Sequence, residues 1–165
     1  MENQLNSRWI EDGSKILFFG DSITDCGRTK GVGPLGDGYV KIFSELVASR
    51  LSLKNVEVIN QGIGGNRITD LLERWERDVL PHEPQNLVIQ IGINDLWGHL
   101  FSPTGGVSPE LFKQSYEQIL SMVELDIKCR VALITPFLMS KDFSKDTEFG
   151  KVNNALCGFI IRRVS

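Results

Sequence analysis

The sequence lacks the features of a membrane-spanning or nucleic-acid-binding protein. None of its apolar runs approaches the roughly 18 residues that a transmembrane helix needs. The formal net charge is -3, and lysine and arginine form no cluster. A basic surface for nucleic acid is therefore not expected. The first residues, Met1 to Glu11, show no basic segment followed by an apolar one, so no secretory signal is predicted either.

Cysteine and histidine are also scarce. The three cysteines, Cys26, Cys129 and Cys157, lie far apart and in no metal-binding spacing. An odd number of cysteines without a signal peptide predicts free thiols in a reducing compartment, so we expect a cytoplasmic protein. The two histidines, His82 and His99, are the only imidazoles that the chain offers for acid-base chemistry. The composition, 41% hydrophobic and 24% charged, is typical of one globular domain spanning the whole chain.

Short apolar runs alternate with helical patterns four times along the chain. This alternation predicts a parallel sheet with helices on both faces, a three-layer α/β/α sandwich with flavodoxin-like strand order 2-1-3-4. We expect Asp37 to cap the first long helix and the charged residues of the second to face solvent. The predicted strands are 16–19, 56–59, 87–91 and 131–134, and the predicted helices are about 39–51, 68–79, 108–127 and 147–163.

Turns rich in glycine and polar residues follow the first three strands: G-D-S at 20–22, G-I-G-G-N at 62–66 and G-I-N-D at 92–95. The carboxyl ends of parallel strands meet at one edge of a sheet, where α/β proteins bind ligands. Acyl transfer needs a nucleophile and donors about 2.7–3.1 Å from the developing oxyanion. We predict Ser22 as the nucleophile, with the N–H groups of Ser22 and Gly65 and the Asn94 amide as donors. The alternative is that Ser22 and Asn94 are ordinary turn residues.

The three turns, read as F-G-D-S-I-T-D, N-Q-G-I-G-G-N and I-G-I-N-D, resemble the first three sequence blocks of the SGNH (GDSL-type) hydrolase superfamily in order and spacing. D-C-G, L-G-D-G-Y-V, R-W-E-R-D-V and N-D-L-W resemble bacterial acetylxylan esterases within it. The resemblance implies that Ser22 is the nucleophile and that Gly65 and Asn94 complete the oxyanion hole. It also implies hydrolysis of a small ester, often an acetylated sugar, without metal or cofactor.

The family's fourth block, an Asp-x-x-His that supplies the general base, does not occur in this sequence. Serine is a poor nucleophile without such a base. We therefore expect a truncated esterase that lacks the last strand and helix of the fold, exposes apolar surface beside its first long helix, and has little activity. Homo-oligomer formation stays open. The alternatives are a non-catalytic carbohydrate-binding remnant of the family and a damaged gene product.

Several residues near the predicted site have two interpretations each. Asp21 and Asp25 are either catalytic carboxylates or turn-fixing residues, and we favour the second role, with Asp21 also placed at the substrate site. Trp97 is either a wall on which a sugar stacks or part of the core. His99, five residues after Asn94, is a candidate replacement for the missing base. His82 is expected at the surface, on the opposite edge of the sheet.

The segment from Gly31 to Gly36 fits the dinucleotide-binding pattern G-x-G-x-x-G. It does not follow a strand directly, and Pro34 has no N–H to offer a pyrophosphate. Nucleotide binding is therefore not expected.

Overall fold

A computed structural model describes residues 9–102 and 106–161, with side chains described as far as residue 156. Its centre is a parallel sheet of β1 (Lys15–Gly20), β2 (Glu57–Gly62), β3 (Asn86–Gln90) and β4 (Arg130–Ile134). The strand order is β2-β1-β3-β4, which confirms the predicted order. Gly20, the last residue of β1, lies in register with Gly62 of β2 and Gln90 of β3.

Helices connect the strands and flank the sheet. Short 3-10 turns lie at Arg28–Lys30 and Leu80–His82, and a π-helical turn at Val123–Ile127 extends the longest connection. Within the described ranges, no helix has the length and apolar character needed to cross a bilayer. The helices are α1 (Ser22–Asp25), α2 (Tyr39–Arg50), α3 (Ile68–Glu73), α4 (Trp75–Asp78), α5 (Ile93–Phe101), α6 (Pro109–Met122) and α7 (Glu148–Ile161).

The core has two parts, one on each face of the sheet. β1 is buried on both faces, with Leu17 and Phe19 in the larger cluster and Ile16 and Phe18 in the smaller one. The larger cluster packs the sheet against α3, α4 and α6, and the smaller one packs it against α2. This arrangement confirms the three-layer sandwich, because a strand buried on both faces needs apolar cover from each side.

The second predicted helix, 68–79, is interrupted. Arg74 leaves helical geometry, with φ −106° and ψ 9°, and separates α3 from α4. The prediction that its charged residues face solvent is wrong for Arg74 and Asp78, which are 5% and 8% exposed. β2 also begins one residue later and ends three residues later than predicted, so that Gly62 joins the ladder instead of belonging to the turn.

Helix α5 was not predicted, because G-I-N-D after β3 resembles a turn that continues into a loop. Gly92 has φ +128°, a conformation open to glycine, and the chain enters α5 directly after it. At the other end of the chain, the predicted last helix is confirmed as α7, and its predicted final residues lie outside the described ones.

The N-terminus of α2 differs from the prediction. Gly38 occupies the N-cap position, and the Asp37 carboxylate accepts a hydrogen bond from Lys41 Nζ at 3.0 Å instead of capping the helix. Ile42 and Leu46, two apolar residues of α2, are 57% and 53% exposed. This agrees with the expectation of exposed apolar surface beside the first long helix.

Candidate active site

Ser22 lies where β1 gives way to α1. It is the first residue of α1, and its side chain is exposed at the carboxyl edge of the sheet. Two hydrogen bonds of the helical turn fix its backbone: Asp25 N–H donates to the Asp21 carbonyl at 2.9 Å, and Cys26 N–H donates to the Ser22 carbonyl at 3.0 Å. The buried strand thus presents a hydroxyl to solvent at the edge where ligands bind in such sheets.

Asp21, next to Ser22, is completely buried. One carboxylate oxygen caps α1 by accepting the Ile23 N–H at 2.9 Å, and the other has no hydrogen-bond partner among the residues that the structure describes. Burial raises the pKa of Asp21 to about 6, because the charged form loses its hydration. A carboxylate with no solvent exposure fits the turn-fixing role. The predicted direct contact between Asp21 and substrate does not agree with this burial.

The loop after β2 packs closely on the Ser22 turn. A Cβ on Gly62 would lie 2.1 Å from the Asp25 nitrogen, so the approach requires glycine. A Cβ on Gly64 would lie 4.0 Å from Ser22 Cβ, so the Gly64 backbone lies near the Ser22 side chain. Gly65 has φ +83° and faces open space, since nothing lies within 4 Å of its Cβ position. Its backbone therefore borders an open region beside Ser22.

The first turn of α5 completes the convergence. The half-buried Asn94 donates its side-chain amide to the Asn66 carbonyl at 2.9 Å. An amide NH₂ carries two hydrogens, so this bond leaves one for a ligand. The next residue, Asp95, accepts the Ile68 N–H at 2.9 Å and so ties α5 to the start of α3. The three predicted turns thus meet at one sheet edge, with the Gly62–Asn66 loop touching both of the others.

Asp95 resembles Asp21 in its surroundings. It is 3% exposed, and within residues 9–102 and 106–161 its second carboxylate oxygen has no hydrogen-bond partner. Burial raises the pKa of Asp95 to about 6, and the negative charge of Asp21 adds to this effect. Two buried carboxyl groups with raised pKa values therefore lie beneath the site.

Trp97 lies on the same side of α5 as Asn94, because residues three apart share a helix face. Its ring is half-buried and packs against Phe101 at 5.2 Å and against Phe149 of α7 at 5.6 Å between ring centroids. Phe149 is itself 51% exposed. Trp97 therefore belongs to a partly exposed aromatic cluster, which agrees with both of the roles considered for it.

Neither histidine is placed beside Ser22 by any contact among the described residues. His99 lines a cavity of about 50 Å³ on the α6 side of α5, together with Asp95 and Phe112. It lies five residues after Asn94 and therefore on a different face of the helix. His82, predicted at the surface, is half-buried, and its Nε2 lies 2.9 Å from Gln61 Nε2 in a hydrogen bond.

The remaining candidates have local roles. The Asp25 carboxylate accepts the Thr29 N–H at 2.9 Å and the Thr29 hydroxyl at 3.0 Å, in agreement with its predicted loop-fixing role. Cys26 and Cys129 are free thiols, as predicted, and the side chain of Cys157 lies outside the described residues. In the described part of the chain, no group of three or more His, Cys, Asp or Glu side chains is placed to hold a metal ion.

The sequence prediction missed two arginines behind the site. The Arg28 side chain donates to the Gly62 carbonyl at 2.6 Å, and Arg74 donates to the Gly20 and Gln61 carbonyls, each at 2.9 Å. The sequence did contain a signal that Arg74 is buried. Residues 71, 74, 75 and 78 recur at the spacing of one helix face, and Leu71 and Trp75 on that face are buried.

Comparison with known proteins gives a family and a fold that agree with this geometry. The family model for GDSL-like lipases/acylhydrolases matches residues 18–160. An acetylxylan esterase from Geobacillus stearothermophilus is 39% identical in an alignment of 136 residues that covers 78% of this chain and 62% of the relative. The chain thus spans less than two thirds of that relative's length.

Solved structures show the same architecture. The crystal structure of Axe2, an acetylxylan esterase from Geobacillus stearothermophilus, has a TM-score of 0.75 and 32% identity, covering 91% of this chain and 74% of that one. LAE5, an alpha/beta hydrolase from the metagenome of Lake Arreo, has a TM-score of 0.73 and 27% identity, covering 91% and 75%. Axe2 variants described as catalytic mutants replace a serine, an aspartate or a histidine by alanine. The chain belongs to the GDSL-like lipase/acylhydrolase family.

Proposed function

We propose that the site is an ester-hydrolase centre in which Ser22 is the nucleophile. The observation that carries the proposal is the meeting of three loops, with Ile63 N–H bonded to the Gly20 carbonyl and the Asn94 amide bonded to the Asn66 carbonyl. Ser22 Oγ attacks the acyl carbon, the ester C–O bond breaks, and the alcohol leaves with the proton of the Ser22 hydroxyl. Water then cleaves the acyl-Ser22 ester, which releases the acid and restores the hydroxyl. The N–H groups of Ser22 and Gly65 and the Asn94 amide stabilise the oxyanion.

The proposed substrate is a small acetylated sugar, such as an acetylated xylo-oligosaccharide, or another small ester. The acetylxylan esterase relatives support this class of substrate. Trp97 supports it as well, because its ring lies on the Asn94 side of α5 within a partly exposed aromatic cluster, and aromatic faces suit sugar rings.

We further propose that the 165-residue chain turns over slowly. The Axe2 catalytic mutants include an aspartate and a histidine, and this chain has no Asp-x-x-His. His99 faces another side of α5, and no contact among the described residues places a histidine beside Ser22, which supports slow turnover. Losing a base lowers the turnover rate of serine hydrolases by several powers of ten.

The test is hydrolysis of p-nitrophenyl acetate, with the acetylxylan esterase relative measured in parallel. We expect a rate lower by about three powers of ten or more, and slow acetylation of Ser22 detected by mass spectrometry. The Ser22→Ala variant should lose this acetylation, and Asn94→Ala should slow it. Turnover equal to that of the relative and abolished in His99→Ala would show that His99 is the base.

The second candidate function is carbohydrate binding without turnover, which the aromatic cluster around Trp97 favours. Titration with acetylated and deacetylated xylo-oligosaccharides by calorimetry separates the two. Binding that is lost in Trp97→Ala, with no acetylation of Ser22 by the activated ester, would favour the binding function over the esterase.

A further inference from the structure

We propose that Arg74 is a positioning residue that fixes the spacing between the Ser22 turn and the Gly65 loop through its two terminal nitrogens. This inference rests on the proposed function, because it assigns a role toward that site. Arg74 touches none of the proposed reacting groups and acts through the ends of two strands.

The contacts of the guanidinium define the role. Arg74 Nη2 donates to the carbonyl of Gly20, which directly precedes Asp21 and Ser22. Nη1 donates to the carbonyl of Gln61, at the start of the loop that contains Gly65. One planar group thus binds the strand ends that lead to the nucleophile and to an oxyanion donor.

The Gly20 carbonyl is shared between the two loops. It also accepts the Ile63 N–H at 3.1 Å, so the loop after β2 is bonded directly to the end of β1. Arg74 binds this carbonyl from the side chain, and Ile63 binds it from the backbone. A shift of the guanidinium therefore moves both loops relative to each other.

The surroundings of position 74 fit an arginine side chain better than a lysine. The guanidinium is 5% exposed, stacks 4.3 Å over the Phe19 ring, and is neutralised by Asp78 Oδ2 at 2.8 Å. Burial lowers the pKa of Arg74, and Asp78 opposes that effect by favouring the charged form. A guanidinium offers several donors in a fixed plane, whereas a lysine ammonium is a single point that cannot span two separated carbonyls in the same way.

Amide hydrogen exchange measured by NMR on the full chain tests the role without requiring turnover. The variants are Arg74→Met and Arg74→Lys. The matched control is Leu71→Ala, which removes a fully buried side chain from α3 that belongs to the core cluster. The reporter is the Ile63 amide, and the reference is the Ile89 amide in β3, which is paired with β1 and β4.

In Arg74→Met we expect exchange at Ile63 to accelerate by about 10–100-fold beyond the acceleration at Ile89, because the lost bonds came from a charged donor. Leu71→Ala should accelerate both amides equally. Arg74→Lys should restore the protection of the Ile89 amide without restoring that of the Ile63 amide. If Arg74→Met does not fold, the same comparison is made with Arg74→Lys alone.

Equal acceleration of both amides in the Arg74 variants would reduce Arg74 to a general stabilising residue and overturn the proposal. Full recovery of Ile63 protection in Arg74→Lys would also contradict it, since charge alone would then suffice. Neither result depends on whether Ser22 is acetylated. A failure of the proposed esterase function is therefore distinguishable from a failure of this positioning role.

Discussion

Asp95→Asn should flatten the dependence of stability on pH. Burial raises the pKa of Asp95 from 3.8 to about 6. The carboxyl of the unfolded chain therefore ionises first, and between these pH values the folded state holds more protons than the unfolded one. The free energy of unfolding must then fall as the pH rises through this window.

The structure sets the size of the effect. A move of the pKa from 3.8 to about 6 corresponds to about 3 kcal/mol of lost stability at neutral pH. The stabilising contribution of protonated Asp95 is complete below pH 3.8 and is lost as the pH rises past about 6. Asparagine retains an oxygen for the Ile68 N–H but carries no charge, so the variant should lose this part of the pH dependence.

Urea unfolding followed by circular dichroism between about pH 4.5 and 8 measures the effect directly. Asp21→Asn should act in the same direction, because burial also raises the pKa of Asp21 to about 6. Asp146→Asn, at an exposed position, is the matched control and should retain the wild-type pH dependence. An Asp95→Asn variant whose unfolding free energy follows the wild-type curve would refute the reasoning.

Two other changes test the loop packing and the edge of the sheet. Gly62→Ala should destabilise the fold by about 3 kcal/mol or prevent folding, since its Cβ would lie 2.1 Å from the Asp25 nitrogen, and thermal unfolding measures this. Leu133 in edge strand β4 and Met139 after it are 51% and 91% exposed. Replacing both with lysine should reduce any self-association seen by light scattering. Leu53→Lys, at an exposed leucine beside β2, is the control, and an equal effect there would argue against association through β4.

The sheet could be predicted because its strands carry their own signal. β1 is a short apolar run that ends in glycine, and such a run fits a strand buried on both faces. The turns that follow β1, β2 and β3 were recognisable by their glycines and by a serine or asparagine at fixed positions. Since parallel strands bring these turns to one edge, the meeting of Ser22, Gly65 and Asn94 loops followed from topology.

The supporting residues could not be predicted because their partners are distant in sequence. Arg74 binds the carbonyl of Gly20, 54 residues away, and a backbone carbonyl carries no sequence signal. Its charge favoured a solvent-facing assignment, although its spacing from Leu71 matched the buried face. The burial of Asp21 was equally hidden, since a Gly-Asp-Ser turn alone does not reveal what packs over it.

These contacts hold the proposed nucleophile Ser22 and the proposed oxyanion donors in position independently of any histidine. Asp21 caps α1, Asp95 holds the start of α3, and Arg74 binds the end of β1, all through contacts within the described residues. None of them involves a histidine. An activated ester needs little help to acylate a serine beside an oxyanion hole, whereas hydrolysis of the acyl-enzyme needs an activated water. Acylation and deacylation should therefore separate in this chain, and acetyl-Ser22 should accumulate.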